Sequence, residues 1–507
     1  MRRRAFLRSA AASAAVLALP TPPSFTFSER GSRRRLRSVE AVTGDGRTVT
    51  LSDGTLDELR SAIRGRMLLA EDDGYDEARR ILNPSFDRRP ALVVQPTGVA
   101  DIRTAIDFAQ GHGGLLLAVK CGGHSFSGQS TCDRGMVLDL SLFRDVRVDP
   151  EARRAWVTGG SLLGAVDHEA MAHGLVTPLG TVSHTGVGGL VTGGGFGRVA
   201  RKHGLSVDNL ESVQVVTADG QLRRASAEEN PDLFWGVRGG GGNFGVVTSF
   251  EFRLHPMSRT VYAGALRFPV ERTGDALRVF GEYGPEAPDT LAMSVSLEHL
   301  PGEDRGIVAV SVCYSGEPSG LEPALAPIRA LGRPVSDSVG PMDYTVLQRS
   351  GDVLEPRAQG VYLKGGFIPG LEGDLQSAIV DGFPGHPSRY TALFFQQGGG
   401  AISRVAPEAT AFSQRDIFAN MIAVSGWRHG VDDPEPHMQA IRDYWSGLEP
   451  FTHGFYVNDV EADHTQAAVR ENYRSNHERL VAVKNRYDPT NLFRLNANVA
   501  PTVTAGG

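Results

Sequence analysis

Apolar residues along this chain alternate between two periods, and the changes of period mark its elements. Ala91-Leu92-Val93-Val94 is a continuous apolar run ended by Pro96, which predicts a buried strand. Over residues 101–109 the period lengthens. Ile102, Ala105, Ile106 and Ala109 then share one helical face, with Asp101 as the expected N-cap. Residues 115–119 predict the next strand, which runs straight into Cys121-Gly122-Gly123-His124-Ser125. Further strands are expected at 137–140 and 155–157, and helices around 75–82 and over 161–173, the latter closed by Gly174 at C′. Strand patterns recur between 211 and 254, including 214–216 and 246–250. Past His255-Pro256, alternating strands such as 307–313 and 392–395 fill the region 257–450, with no internal repeat. This mixture predicts an α+β protein. Its 507 residues are too many for one ordinary core, so two domains are expected.

Composition narrows the class. An apolar content of 41% with 22% charged residues excludes a disordered or membrane-embedded chain. The net charge of −6, without a long basic run beyond the N-terminal region, argues against a nucleic-acid partner. Arg2-Arg3-Arg4-Ala5-Phe6-Leu7 and the apolar stretch up to Pro20 form a basic region followed by a core too short to span a bilayer. Arg3-Arg4 reads as a twin-arginine signal within 1–28. It predicts export to a periplasmic or extracellular location without stable membrane insertion. Cys121, Cys132 and Cys313 are too few for a disulfide framework. Cys121 and Cys132 either pair or remain free buried thiols. No Cys/His spacing matches a zinc site, so no metal is expected.

Glycine is the outlier, at 61 of 507 residues against a usual ~7%. The excess lies in three patches: Gly122–Gly128, Gly186–Gly197 and Gly239–Gly245. The first follows a strand, where successive backbone N–H groups can form a concave nest for a pyrophosphate. A Cβ there would hold phosphate oxygens out of reach. A Rossmann reading fails, because Gly193-Gly194-Gly195-Phe196-Gly197 lacks the required spacing and the later acidic residue. Together the patches predict one long dinucleotide lying across a domain.

Gly122-Gly123-His124-Ser125-Phe126-Ser127-Gly128, the 186–197 patch and Gly242-Asn243-Phe244-Gly245-Val246 resemble the berberine bridge enzyme-like group of FAD-linked oxidases. That group lies within the vanillyl-alcohol oxidase and p-cresol methylhydroxylase superfamily. Tyr456-Val457-Asn458 and the run from Lys484 to Arg494 agree, and the resemblance extends from about Gly74 to Pro501. It implies an FAD-binding domain of the p-cresol methylhydroxylase type at 75–255 and a second, α/β substrate domain at 256–450. A C-terminal segment, 451–501, would return to the FAD domain. The implied activity is an oxidase moving hydride from an alcohol, sugar or natural-product small molecule to FAD, then to O2, giving H2O2. Alternatives are a dehydrogenase of the same fold using a quinone or protein acceptor, and a non-catalytic flavin-binding protein.

By the same resemblance, His124 matches the histidine bonded to the C8 methyl of the flavin. Lys120, Cys121, Gly122, Gly123, Ser125 and Gly128 are expected around the cofactor. So are Gly180, Thr181, Thr185, Gly188, Gly189, Gly194 and Val246. Many relatives add a cysteinyl bond four residues before the Gly-x-Gly-Gly element. Val182 stands there, so a single covalent link through His124 is expected. His184 nearby is expected to line the cleft or cap a turn.

Oxidising an alcohol requires a base within hydrogen-bond reach of the hydroxyl proton. Tyr456 matches the family's active-site tyrosine, which needs donor-rich or positive surroundings to serve at neutral pH. Asp459 stands where relatives often carry a second aromatic residue. The family's Glu or Gln position beyond Phe412-Ser413-Gln414-Arg415 falls on Ile422, with Asn420 two residues earlier. Tyr362, Lys364 and Gln396 are further substrate-side candidates. Asn458 is expected at the cofactor, and Asn496 and Asn498 would face one side of an extended tail as further cofactor contacts. Substrate is expected over the flavin, between the domains.

Overall fold

A computed structural model describes residues 38–299, 302, 305–352, 357–385, 390–459 and 465–503. The arginine-rich segment 1–28, read above as a signal, lies outside the described residues. Among the described residues no helix is long and apolar enough to cross a membrane.

Three main sheets organise the chain. The first contains β1 (Arg66–Leu68), β2 (Leu92–Gln95), β3 (Leu117–Lys120) and β4 (Met136–Asp139), in the order β1-β2-β4-β3. Strands β2 and β3 both run parallel to β4, because the helix Val99–Gly111 carries the chain back between them. Ile102, Ala105, Ile106 and Ala109 of that helix are fully buried, as their spacing predicts.

Asp101 is not the N-cap. Gly98 occupies that position, and Asp101 sits inside the first turn. Its carboxylate accepts the N–H groups of Arg64 at 2.9 Å, Gly65 at 3.0 Å and Thr97 at 2.9 Å. Burial raises its pKa, but these bonds outweigh burial and hold the carboxyl below its usual range. The helix Leu163–Met171 ends two residues earlier than expected, with Ala172 as the C-cap, so Gly174, at φ of 65°, falls at C″ rather than C′.

The second sheet is antiparallel: β5 (Val146–Asp149), β6 (Arg154–Thr158), β7 (Leu210–Val216), β8 (Leu222–Ser226) and β9 (Val246–Arg253), ordered β8-β7-β9-β6-β5. The third holds β10 (Thr260–Pro269), β11 (Leu291–His299), β12 (Ile307–Tyr314), β13 (Ser336–Asp337), β14 (Gly340–Asp343), β15 (Gln359–Ile368), β16 (Tyr390–Gln397) and β17 (Ala419–Arg428). Its order is β13-β10-β12-β11-β16-β17-β15, with β14 also on β10, and its pairings are antiparallel. One face packs Leu393, Phe395 and Met421 against helices through Phe280, Ile379 and Ile441. The other face of β15–β17 turns toward the first two sheets.

The C-terminal segment is fastened by a buried cation. Lys484 Nζ donates to Asn243 O at 2.9 Å, Phe493 O at 2.9 Å and Asp488 Oδ2 at 2.7 Å. Burial lowers this ammonium to about 8 despite Asp488. Asn243 completes the tie, donating to Ala497 O at 3.0 Å and accepting from Val499 N at 2.9 Å.

Candidate active site

A cavity of about 650 Å³ runs from the glycine loops of the first two sheets to the free face of β15–β17. Two loops cross at its floor. A Cβ on Gly122 would stand 2.3 Å from Gly186 N, and one on Gly186 would stand 2.3 Å from Gly122 N. Only two glycines allow that approach. Gly241, Gly242 and Gly245 of the third patch also line the cavity, beside Asn496.

His124 sits at the end of the first loop. Its Nε2 meets His184 Nδ1 at 2.5 Å, while its Nδ1 has Thr185 Oγ1 at 3.4 Å. Burial, reinforced by His184, lowers its pKa to about 4, so the ring is neutral at ordinary pH. The residue just before His184 is also held. Ser183 donates from its N and its Oγ to the Asp352 carboxylate, at 2.8 and 2.6 Å. His184 abuts the His124 ring and is not itself among the lining residues, although it was expected there.

Cys121, Gly122, Gly123, His124, Ser125, Gly180, Thr181, Thr185, Gly188, Gly189, Val246, Tyr456, Asn458 and Asn496 are brought together in the lining. Four other residues expected at the cofactor are not in it. Lys120 turns into the first sheet, where its ammonium meets Ala78 O and lies 3.3 Å from the Asp139 carboxylate. Alternation along β3 puts it on the face away from the cavity. Gly128, at φ of 74°, makes room for Phe86, whose ring would meet a Cβ at 2.5 Å. Gly194 lies beneath side chains: Phe412 and Tyr456 would approach its Cβ within 3.1 and 3.3 Å. Asn498 misses because the tail bends rather than extending, so the expected alternation fails. Its carbonyl instead accepts from Gln466 Nε2 at 3.0 Å.

Most of the 193–195 patch thus serves neighbouring side chains. Gly193 admits Asn458, and Gly195 admits Ser206. Tyr456 is held there: its hydroxyl accepts from Gly195 N at 2.9 Å and Asn458 Nδ2 at 2.7 Å, and Phe196 meets its ring edge-on at 5.1 Å. Burial first, and the Asp459 charge second, push the Tyr456 hydroxyl above its ordinary pKa, and the two N–H donors only partly offset this. The donor-rich surroundings expected for a ready base are present, but they do not win.

Asp459 lines the cavity too, in the turn closed by its N–H on Tyr456 O. Loss of solvation pushes its carboxyl up to about 7, tempered by Asn420 Nδ2 at 3.0 Å. Asn420 Nδ2 also reaches Gln396 Oε1 at 2.9 Å. Gln396 and Ile422 belong to the lining; Tyr362 and Lys364 do not. They alternate with Val361 and Leu363, which do, and Tyr362 lies under the Arg442 guanidinium at 5.3 Å. The alternation along β15 carries that signal. The Arg415 guanidinium clamps both oxygens of half-buried Asp208 at 2.7 and 2.8 Å. Arg357 and Gln359 were not anticipated in the lining.

All three cysteines are free thiols. Cys121 contacts Ser161 O at 3.5 Å, and burial pushes its thiol up to about 11. Among the described residues no cluster of His, Cys, Asp or Glu could hold a metal.

The residues fit a dinucleotide. The floor is bare backbone where side chains would fill the space. Two buried polar atoms of lining residues, Ser130 Oγ and Asn496 Oδ1, have no partner within the protein.

Fold and site define a flavin-dependent oxidoreductase whose cavity lies between the glycine loops and the face of β15–β17. A family model described as FAD binding domain matches residues 90–226, and one described as berberine and berberine like matches 455–500. An FAD-linked oxidoreductase of Dictyostelium discoideum is 32% identical over 442 residues, covering 84% of this chain and 93% of the relative. The crystal structure of 6-hydroxy-D-nicotine oxidase from Arthrobacter nicotinovorans superposes with a TM-score of 0.79 at 29% identity, over 86% of this chain and 98% of that one. Glucooligosaccharide oxidase from Acremonium strictum, described with a 6-S-cysteinyl, 8α-N1-histidyl FAD, shares the fold. Its TM-score is 0.79 at 24% identity, covering 89% of this chain and 100% of that one. The chain belongs to the berberine bridge enzyme-like family of FAD-linked oxidoreductases.

Proposed function

We propose that this chain is an oxidase holding FAD by one covalent bond from His124, and that Tyr456 and Asp459 handle the substrate proton. The observation that carries this reading is the His124–His184 contact at the end of the glycine cradle. With Nε2 engaged at 2.5 Å and Nδ1 only loosely approached, the neutral ring keeps Nδ1 available for bonding. The histidyl attachment of the glucooligosaccharide oxidase supports it. The second, cysteinyl bond has no counterpart at Val182, and the one thiol in the lining, Cys121, is packed against Gly186 and Gly188.

Gly122, Gly123, Gly188, Gly189, Gly241 and Gly242 would hold the dinucleotide through backbone, with Ser130 and Asn496 offering side-chain polar atoms. When bound, FAD supplies a two-electron acceptor that takes hydride from a substrate carbon and yields the electrons to dioxygen. Tyr456 presents a hydroxyl to the polar group of the substrate. Asp459, half-buried beside it, accepts the hydroxyl proton, leaving a carbonyl product. This shifts the base from Tyr456 alone to the pair, because burial raises both groups and leaves the carboxyl near neutrality, at about 7, while the phenol, which starts much higher, is pushed far above it.

Export by the twin-arginine route, read from Arg3-Arg4, belongs to the same proposal, since that route carries proteins already folded around their cofactor. Oxidase and dehydrogenase readings separate without knowledge of the substrate. Holoenzyme titrated to the reduced state with dithionite and mixed with air-saturated buffer is expected to reoxidise rapidly, releasing one equivalent of hydrogen peroxide per flavin. Sluggish reoxidation, with rapid electron transfer to a quinone, would identify a dehydrogenase.

A further inference from the structure

We propose that the substrate of this site is a predominantly apolar ring compound, aromatic or alicyclic, bearing one oxidisable alcohol or amine group, and not an oligosaccharide. The inference rests on the oxidoreductase reading above and narrows it. The roof of the cavity is one face of β15–β17. Register places Leu363 beside Val424, and Phe394 beside Ile422. With Val361 and Phe126, which reaches in from the His124 loop, they form one apolar cluster. All six line the cavity, and none offers a side-chain donor or acceptor.

An oligosaccharide presents hydroxyls around its whole perimeter. Against this roof they would lose water and gain no partner, which is unfavourable for each group so buried. A ring with apolar faces gains on both counts. It removes its own surface and that of the roof from water, and it can meet Phe126 and Phe394 in edge or offset contact.

Polar chemistry is gathered at one end of the roof. Asn420 links Gln396 to Asp459 through a single amide nitrogen, and Tyr456 lies in the same turn as Asp459. Gln396 and Asp459 line the cavity there, with Asn420 fully buried behind them. A ligand with one polar group at one end of an apolar body satisfies this arrangement, and a ligand polar throughout does not. Tyr390, the exposed Gln359 and Arg357, which is 3.8 Å from the Glu77 carboxylate, put polar atoms only toward the opposite end of the strands.

The test is a binding panel on purified holoenzyme, read by calorimetry and by perturbation of the flavin absorption band. The panel comprises 4-methoxybenzyl alcohol, 1-indanol, 1-aminoindane and 2-naphthalenemethanol, with cellobiose, xylobiose and chitobiose as the alternative class. Ring compounds are expected to bind and shift the band, while the disaccharides do neither at about hundredfold higher concentration. Ile422→Gln should weaken the ring compounds about tenfold with flavin content unchanged. Should that variant fold poorly, Val361→Thr, nearly isosteric and only half-buried, makes the same test with a smaller effect. Binding of a disaccharide as tightly as the best ring compound, or no heat and no band shift from any ring compound, would overturn the proposal. A disaccharide that bleaches the flavin sinks the substrate class while leaving the oxidoreductase reading intact. A preparation that never carries flavin sinks that reading instead, and calorimetry still decides the class.

Discussion

Tyr456→Phe lowers kcat/KM by about 10²–10⁴-fold, with flavin content at the wild-type level. The lost oxygen accepts from Gly195 N and Asn458 Nδ2, so its removal leaves the buried Gly195 N–H unpaired, while Asn458 Nδ2 keeps Leu190 O at 2.9 Å, and it deprives the substrate of its contact. Asp459→Asn is expected to cost about as much, but its signature lies in the pH profile. As a base, Asp459 works only when ionised, and its carboxyl is pushed up to about 7. Activity of the native enzyme therefore rises with pH through about 7 and levels off above it, and the Asn variant loses that limb. Steady-state rates across pH with one turnover substrate measure both effects. An Asn variant that keeps the rise near neutrality would assign the titration to another group.

Gly122→Ala should remove most bound flavin. A Cβ there would stand 2.3 Å from Gly186 N and 2.9 Å from Gly186 Cα. Those are backbone atoms of the facing loop, which cannot rotate aside, so the loops must separate and the cradle opens. Overpacking of this kind costs about 1–3 kcal/mol, and here the cost falls on the cofactor floor itself. Gly98→Ala is the control, because a Cβ at that position meets nothing within 4 Å. Flavin absorbance per polypeptide in the two purified variants decides the matter. Equal occupancy would show that the loop crossing tolerates a side chain.

Much of this was legible from residue order. The helical stripe Ile102-Ala105-Ile106-Ala109 and the apolar run before His124 placed the crossover and the loop that follows it, because burial selects both patterns directly. The glycine patches located the cavity floor, but not which glycine meets which neighbour. Gly122 and Gly186 allow two backbones to cross, whereas Gly193 and Gly194 make room for Asn458, Phe412 and Tyr456, residues more than two hundred positions away. Chain-local reasoning cannot separate those two uses. The same limit explains Lys120, whose partner Asp139 is on the neighbouring strand, and Asn498, whose tail bends instead of extending. Tyr362 and Lys364 were misplaced for a simpler reason. Their polarity drew attention, while the alternation that puts Val361 and Leu363 on the cavity face was readable all along. Asp459 was visible as a departure from the family pattern, but its role depends on Asn420, brought alongside by β17.

The attachment at His124 bears on everything proposed for the cavity, and it can be examined directly. Purified protein is precipitated in acid, the pellet is digested, and the flavin-bearing peptide is identified by mass spectrometry. The account predicts that the yellow colour stays in the pellet and that FAD is found on the peptide containing His124, and that His124→Ala releases it. Colour in the supernatant of the native protein, or flavin on a cysteine, would contradict it.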